Sequence, residues 1–270
     1  MLITLLVHTF VFTVILLVLV TCVFIVAQIK RDNSVMDIAY GPLFFLSSMI
    51  TLFYTSGVSA TAFLITGLTG LWSIRLALRI YRKNKGKAED ARYALWRTTW
   101  MKQGQPYFLW RSYLQINLLQ GVIILLVSLP FIIATVSTEI AYNIYFVYAG
   151  LLVYAFGLSF EALADYQLDE FLRAKKSGQI TAPLMKTGLF RFSRRPNYFG
   201  ETLIWWGLAI IVLPLPFGFL GIISPLMITY IVTKVTGPML ENIFLEKYPA
   251  EYRAYMATTN YFIPGPPRRS

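Results

Sequence analysis

The chain has 270 residues, of which 57% are hydrophobic, 16% aromatic and only 14% charged, with mean hydropathy +0.60 and a net charge of +11. A soluble domain carries about 25% charged residues, so this composition excludes one and points to an all-α, polytopic membrane protein, a single membrane domain over residues 1–270. The cations flank apolar runs instead of forming a soluble basic module, which assigns them to lipid headgroups and excludes nucleic acid as a partner.

The first span is 2–27; it lacks a basic leading segment and is too long for a signal-peptide core, so it reads as retained and peripheral over 1–36. Cys22 and His8, the single residues of their kinds, both lie in it. They allow neither a disulfide framework nor a histidine metal site, and Cys22 reads as a buried, inert thiol. The second span is 38–55 and the third 58–80, divided at Ser56-Gly57. The fourth, 109–136, contains Pro130 as a kink, and the fifth is 140–164. The last two, 203–213 and 217–235, are separated by Pro214-Leu215-Pro216-Phe217-Gly218 and form either two spans or one broken re-entrant pair, because the first is short. The pattern predicts about seven transmembrane helices with the N-terminus outside and the C-terminus cytoplasmic. The inside segments are then 28–37, 81–108, 165–201 and 236–270, and all 24 Lys and Arg residues fall in them or in the inner part of a flanking helix. The outer turns carry Glu139 alone, the asymmetry that sets orientation.

Two inner loops are large and basic. In 81–108, Glu89 and Asp90 open a helix whose Tyr93, Trp96 and Trp100 share a face, the pattern of a helix lying at the membrane interface. In 165–201, Ser177-Gly178 ends a helix that continues from the fifth span.

The residues with the strongest chemical signal lie at the inner ends of the spans. Arg194-Arg195-Pro196-Asn197-Tyr198-Phe199-Gly200-Glu201 places two cations, an amide, a phenol and a carboxylate directly before an apolar run. Asn197 and Glu201 stand four apart, on one face of a helix. Anchoring at headgroups explains the arginines but not Asn197 or Glu201, and polar groups at a membrane boundary mark function. Glu161 and Asp165 share a face at the end of the fifth span, and Arg75 and Arg79 share one in the third. A carboxylate as deep as Glu161 needs a partner, and bidentate arginine suits phosphate or carboxylate. Opposed, these two faces would line a polar cavity open to the inside. Asp37 and Asp169 are ordinary helix-end charges or site members, and Glu241 follows the last span. No Gly-x-Gly-x-x-Gly, P-loop, metal-ligand spacing or Gly-x-Ser-x-Gly motif occurs.

At Glu161-x-x-x-Asp165-x-Gln167-x-x-x-Phe171, Gly188-Leu189-Phe190, Ser193 to Glu201, Trp205-Trp206-Gly207 and the ending Tyr248 to Pro264, the chain resembles the membrane reductase family that includes steroid 5-alpha-reductases, in particular its bacterial DUF1295-type branch. Arg75-Leu76 and Glu89-Asp90-x-Arg92-Tyr93 are similar to that branch too, and the likeness runs over about 37–264. The resemblance implies a seven-helix core in a bacterial plasma membrane, NADPH bound from the cytoplasmic side, and hydride transfer to the double bond of a lipophilic enone. It implies that Asp165, Asn197 and Glu201 contact the cofactor, with Arg191, Arg194 and Tyr198 as neighbours; Arg75, Arg79, Glu161 and Arg195 complete the candidate cofactor residues. Arg195 stands where much of the family has His. The steroid reducers polarise the substrate carbonyl with a Tyr and a Glu; here Trp72 stands in the place of the Tyr, and no glutamate precedes Glu89. Asp37 and Tyr40 are the stand-in catalytic residues. Two other readings compete. Isoprenylcysteine-type methyltransferases share an Arg-His-Pro-x-Tyr-x-Gly pattern, which would imply S-adenosylmethionine, and a transporter or scaffold would need no chemistry at all.

Overall fold

A computed structural model of the chain describes residues 1–55, 59–137 and 143–268. The expected break at Ser56-Gly57, the starts of the third and fifth spans at Val58 and Ile140, and Glu139 lie outside the described residues. Those residues are helical apart from loops and one isolated bridge between Ser193 and Asn260.

Among the described residues, six helices are long and apolar enough to cross a membrane: α1 (Leu2–Lys30), α2 (Val35–Tyr54), α3 (Ala60–Asn84), α5 (Gln105–Val127), α7 (Ile144–Lys176) and α9 (Gly218–Lys247). Shorter helices are α4 (Ala91–Met101), α6 (Leu129–Val136), α8 (Pro196–Val212) and α10 (Pro249–Thr258). The expected span 203–213 is the C-terminal part of α8, whose 17 residues reach about 26 Å, a little under the ~30 Å hydrocarbon core. The chain folds as two compact units, one of residues 1–143 and 212–221, the other of 144–211 and 222–270.

In the first unit α2 packs along both α1 and α3, and α6 against the same two helices. The interior holds Phe12, Met36, Phe44, Ile65, Trp72, Ile124 and Ile132, with Trp72 edge-on to Phe44 at 5.7 Å. Ser59 caps α3 by accepting from the Ala62 N–H at 3.2 Å. Outward-facing Ile3, Phe10 and Phe53 are 77%, 69% and 82% exposed, an apolar surface that only lipid can cover. Cys22 belongs to this outer surface, not to the core. Since α1 is apolar on every side, its sequence carries no mark of which face turns inward.

Pro130 does not kink one continuous helix. The helix divides at Ser128, whose carbonyl accepts from both the Phe131 and Ile132 N–H groups at 3.0 and 3.1 Å, and α6 starts with Pro130 in its first turn. Proline has no N–H to offer the preceding turn and fits the first turn of a new helix without loss.

In the second unit, α7 and α8 run against each other through glycines. A Cβ at Gly157 would stand 2.8 Å from the Gly200 carbonyl oxygen, and one at Gly207 2.7 Å from the Gly150 carbonyl oxygen. Seven residues separate the glycines on each helix, two turns apart on one face, so the pairs 157/200 and 150/207 fix an antiparallel register. At 33 residues, α7 is about 50 Å long and outruns the hydrocarbon core. Its last turns carry the charged segment from Asp165 to Lys176, and Gly178, at φ 76, closes it as predicted, with the Gln179 N–H bonded back to Ala174. α9 contains a π-helical stretch, Ile231–Thr236, and the Tyr261 hydroxyl donates toward the carbonyls of Val232 and Thr233 within it, at 3.3 and 3.1 Å.

Candidate functional site

The glycine seam is what positions the polar residues of the second unit. One turn beyond Gly157 on the same face of α7 comes Glu161, whose backbone nitrogen lies 2.6 Å from where a Cβ on Gly200 would be. One turn further is Asp165. Glu161 and Asp165 are each 4% exposed; the register sets Glu161 beside the first turns of α8 and Asp165 level with the residues just before it, and those first turns carry Asn197, Tyr198 and Glu201, all half-buried. Sequence spacing thus finds Glu161, which the seam sets against Gly200 at the start of α8, between Asn197 and Glu201 in the chain. The two glycine pairs are a signal that sequence reasoning missed, although their matched seven-residue spacing stands in the chain.

The two arginines before α8 have different surroundings. Arg194 is buried and held by the fold: Nε bonds Glu241 Oε1 at 2.8 Å, Nη1 donates to the Thr259 carbonyl at 2.6 Å, and the guanidinium lies 5.5 Å from the Tyr261 ring centre. Tyr252 donates to the same Glu241 oxygen at 3.1 Å. Backbone bonds continue the latch, from the Arg194 N–H to the Asn260 carbonyl at 2.8 Å and from the Gly265 N–H to the Phe192 carbonyl at 3.1 Å. Arg194 therefore ties the segment after α10 to the start of α8. Glu241 is the partner that sequence reasoning left unassigned, because 47 residues separate it from Arg194. Arg195 sits over the Phe244 ring at 5.5 Å, and its Nε and Nη2 are enclosed without a hydrogen-bond partner among the described residues. Arg191 is exposed.

Leu184, Tyr252 and Tyr255 form the core beneath this cluster, flanked by Phe244 and Tyr248. Tyr255 donates to the Phe190 carbonyl at 2.5 Å. Burial pushes the Tyr252 and Tyr255 phenols above their usual range, with the Glu241 carboxylate adding to it for Tyr252. A groove of about 450 Å³ runs beside the end of α7, lined by Tyr166, Gln167, Glu170, Phe171, Met185 and Thr187 among others. None of the predicted site residues lines it, but Gln167 belongs to the motif, and its Oε1 accepts from the Leu189 N–H at 2.9 Å.

In the first unit, Arg75 and Arg79 are half-buried near the end of α3. Asp37 and Tyr40 lie in the first turns of α2, where Asp37 accepts from the Tyr93 hydroxyl at 2.5 Å and pairs with Arg92 at 3.0 Å. Tyr40 stands edge-on to Phe44 at 5.2 Å. The expected interfacial helix is α4, capped by Asp90, which accepts from the Arg92 N–H at 3.0 Å. Its Tyr93 and Trp100 are buried, whereas Trp96 is 39% exposed and stacks on Trp100 at 5.6 Å. Burial works to raise the Asp90 carboxyl, but hydrogen bonds and charge from Arg92 outweigh it and hold the group below its usual range. Burial, with the nearby Asp37 charge, pushes the Tyr93 phenol well above its own. A second set of bonds, missed in the sequence, joins this loop to the α1–α2 turn: Glu89 accepts from the Asn33 N–H at 2.7 Å and from Arg97 at 2.8 and 2.9 Å, and Ser34 Oγ accepts from the Asp90 N–H at 2.8 Å.

A model of the family described as a protein of unknown function, DUF1295, matches residues 23–259. An uncharacterised protein of Schizosaccharomyces pombe is 29% identical over 247 residues, covering 80% of this chain and 68% of that protein. No solved structure matches. With the family match spanning most of the polypeptide, both basic loops and the whole α7–α8 seam, the chain belongs to the DUF1295 family, the steroid 5-alpha-reductase-like group of membrane proteins.

Proposed function

We propose that the protein is an NADPH-dependent membrane reductase of a carbon–carbon double bond in a lipophilic, steroid-like or isoprenoid-like enone. Its basic loops would lie on the cytoplasmic side of a plasma membrane. The observation that carries this reading is the α7–α8 register. It gathers two buried carboxylic acids, an amide and a glutamate at a helix N-terminus, next to an arginine with two enclosed, unbonded nitrogens.

These residues fit a dinucleotide selectively. Arg195 has donors left for a phosphate, and the exposed Arg191 can add a second cation. Arg194 does not fit, because Glu241 and the Thr259 carbonyl already occupy it. Asn197 and Glu201, on one face of α8, offer the amide and carboxylate that ribose hydroxyls and a carboxamide bond to. Tyr198 and Asp165 flank them, and the low exposure of Glu161 and Asp165 indicates a low-dielectric surrounding, in which each polar contact is stronger. The chemistry supplied by such a cofactor, when bound, is delivery of hydride to carbon. Activation of the substrate falls to the protein. Trp72 is fully buried against Phe44 and offers no phenol. Both oxygens of Asp37 are engaged within the first unit by Tyr93 and Arg92.

Titration of the detergent-purified protein with NADPH, followed by cofactor fluorescence, tests the proposal. The parent binds, and Asn197→Ala and Glu201→Ala each abolish binding without unfolding the chain. No detectable affinity at millimolar NADPH overturns it, and binding of S-adenosylmethionine instead establishes a methyltransferase.

A further inference from the structure

We propose that α1, α4 and the start of α5 build a binding site for the phosphoryl headgroup of an anionic membrane phospholipid. The site is a cavity of about 360 Å³ within the first unit, independent of the reductase reading. Gln28 and Arg31 line it from the end of α1, Arg97 and Met101 from α4, and Gln105 and Phe108 from α5. Its lining combines two guanidinium groups and two amides with a thioether and an aromatic ring.

The cations are available to an anion. Glu89 takes Nε and Nη2 of Arg97, while Nη1 makes no hydrogen bond among the described residues; the guanidinium lies 4.8 Å over the Phe108 ring. Arg31 is exposed and has no ion pair among the described residues. The next residue, Asp32, accepts the Ser34 N–H at 2.8 Å through Oδ1, and its charge acts on Arg97 as well. The N-terminus of the α5 span adds the positive end of its dipole.

Depth decides in favour of lipid over a soluble phosphate. The apolar span α1 stops at Lys30 and the α5 span starts at Gln105, so the cavity lies where two spans leave the hydrocarbon, the level of the headgroup phosphates. Beside it, Ile25, Val26 and Ile29 of α1 face outward, 51%, 40% and 78% exposed, a surface along which acyl chains can lie. Backbone geometry adds a second observation. Arg31 occupies the left-handed region, at φ 52 and ψ 39, as the C-cap of α1, a place where glycine is ordinarily used and an arginine is strained. A glycine at this position would relieve the backbone.

That relief supplies the test. Full-length protein, purified and delipidated in detergent, is titrated with short-chain phosphatidylglycerol, short-chain phosphatidylcholine and inorganic phosphate. The readouts are thermal midpoint and lipid retained in native mass spectrometry. Phosphatidylglycerol is expected to bind and stabilise the parent. Arg31→Gly should bind it about tenfold more weakly, as loss of a charge-assisted contact implies, while its lipid-free midpoint equals or exceeds the parent's. Lys87→Ala, removing an exposed cation outside the cavity, should leave binding unchanged. Equal retention by parent and Arg31→Gly overturns the site, and so does an equal loss in Lys87→Ala. Inorganic phosphate matching phosphatidylglycerol overturns the lipid assignment, as does phosphatidylcholine binding equally well.

Discussion

The α7–α8 seam leaves no room for a methyl group at Gly200, and that can be measured. In Gly200→Ala the new carbon would sit 2.6 Å from the Glu161 nitrogen and 2.8 Å from both Glu161 Cβ and the Gly157 carbonyl oxygen. Ordinary contacts begin at about 3.5 Å, so the helices must part by close to 1 Å, forfeiting a quarter to a half of the dispersion energy of each contact along the seam. Overpacking of this kind costs about 1–3 kcal/mol, and the better helix propensity of alanine offsets ~1 kcal/mol of it. At Gly67, in α3, an added methyl would have nothing within 4 Å of it, so Gly67→Ala should gain up to ~1 kcal/mol from propensity alone. The two variants should therefore differ by roughly 2 kcal/mol, about 4–8 °C in thermal midpoint for a chain of this size. Differential scanning fluorimetry in detergent reads this directly. A second readout follows from the same geometry: parting the helices moves Glu161 away from Asn197, so NADPH affinity should fall in Gly200→Ala and not in Gly67→Ala. Equal midpoints for the two variants would refute the register deduced for the seam.

Two predictions concern charge, besides the cofactor and lipid titrations already set out. Arg194→Met removes one partner of a buried pair and leaves Glu241, whose side chain is 15% exposed, to Tyr252 alone. The loss should be about 3–5 kcal/mol, and Arg194→Met combined with Glu241→Leu should recover part of it. Thermal unfolding of both checks this, and a double variant no more stable than the single one would show that the charges are not coupled. Asp90 titrates lower folded than its ordinary value of 3.8. A depressed carboxyl contributes stability that is complete above that value and is lost as pH falls through the folded one. Unfolding midpoints of the parent should therefore drop more steeply below about pH 4 than those of Asp90→Asn, and parallel acid limbs would sink the assignment.

What is legible in the sequence is local. Hydrophobic runs give the long helices, Asp90 and Gly178 give a cap and a stop, and four-residue spacing places Asn197 with Glu201 and Glu161 with Asp165. Each of these depends on groups within a turn or two of one another. The rest depends on contacts across the chain. Glu241 meets Arg194 over 47 residues, and Asn33 meets Glu89 over 56, distances at which spacing carries no information. The outward position of Cys22 is hidden because α1 is apolar all round, which erases the amphipathic signal that would show its inner face. The division at Ser128 escapes a reading centred on Pro130 itself, since proline acts on the turn before it.

Adjacent arginines with separate duties also explain why the 194–201 motif carries so strong a signal. Arg194 faces the Glu241 carboxylate and the Thr259 carbonyl, groups that the fold itself supplies, so its contribution is to fasten the C-terminal segment to the start of α8. Arg195 faces an aromatic ring, and two of its enclosed nitrogens have no hydrogen-bond partner among the described residues. Enclosing donors of a permanent cation without acceptors is costly in a protein interior, so such a side chain makes physical sense where an anion from outside the chain completes it. The segment thus joins a latch to the proposed anion site through a single peptide bond. Whatever loosens the C-terminal segment from Arg194 also displaces Arg195, so the integrity of the fold and occupancy of the site are linked at this point.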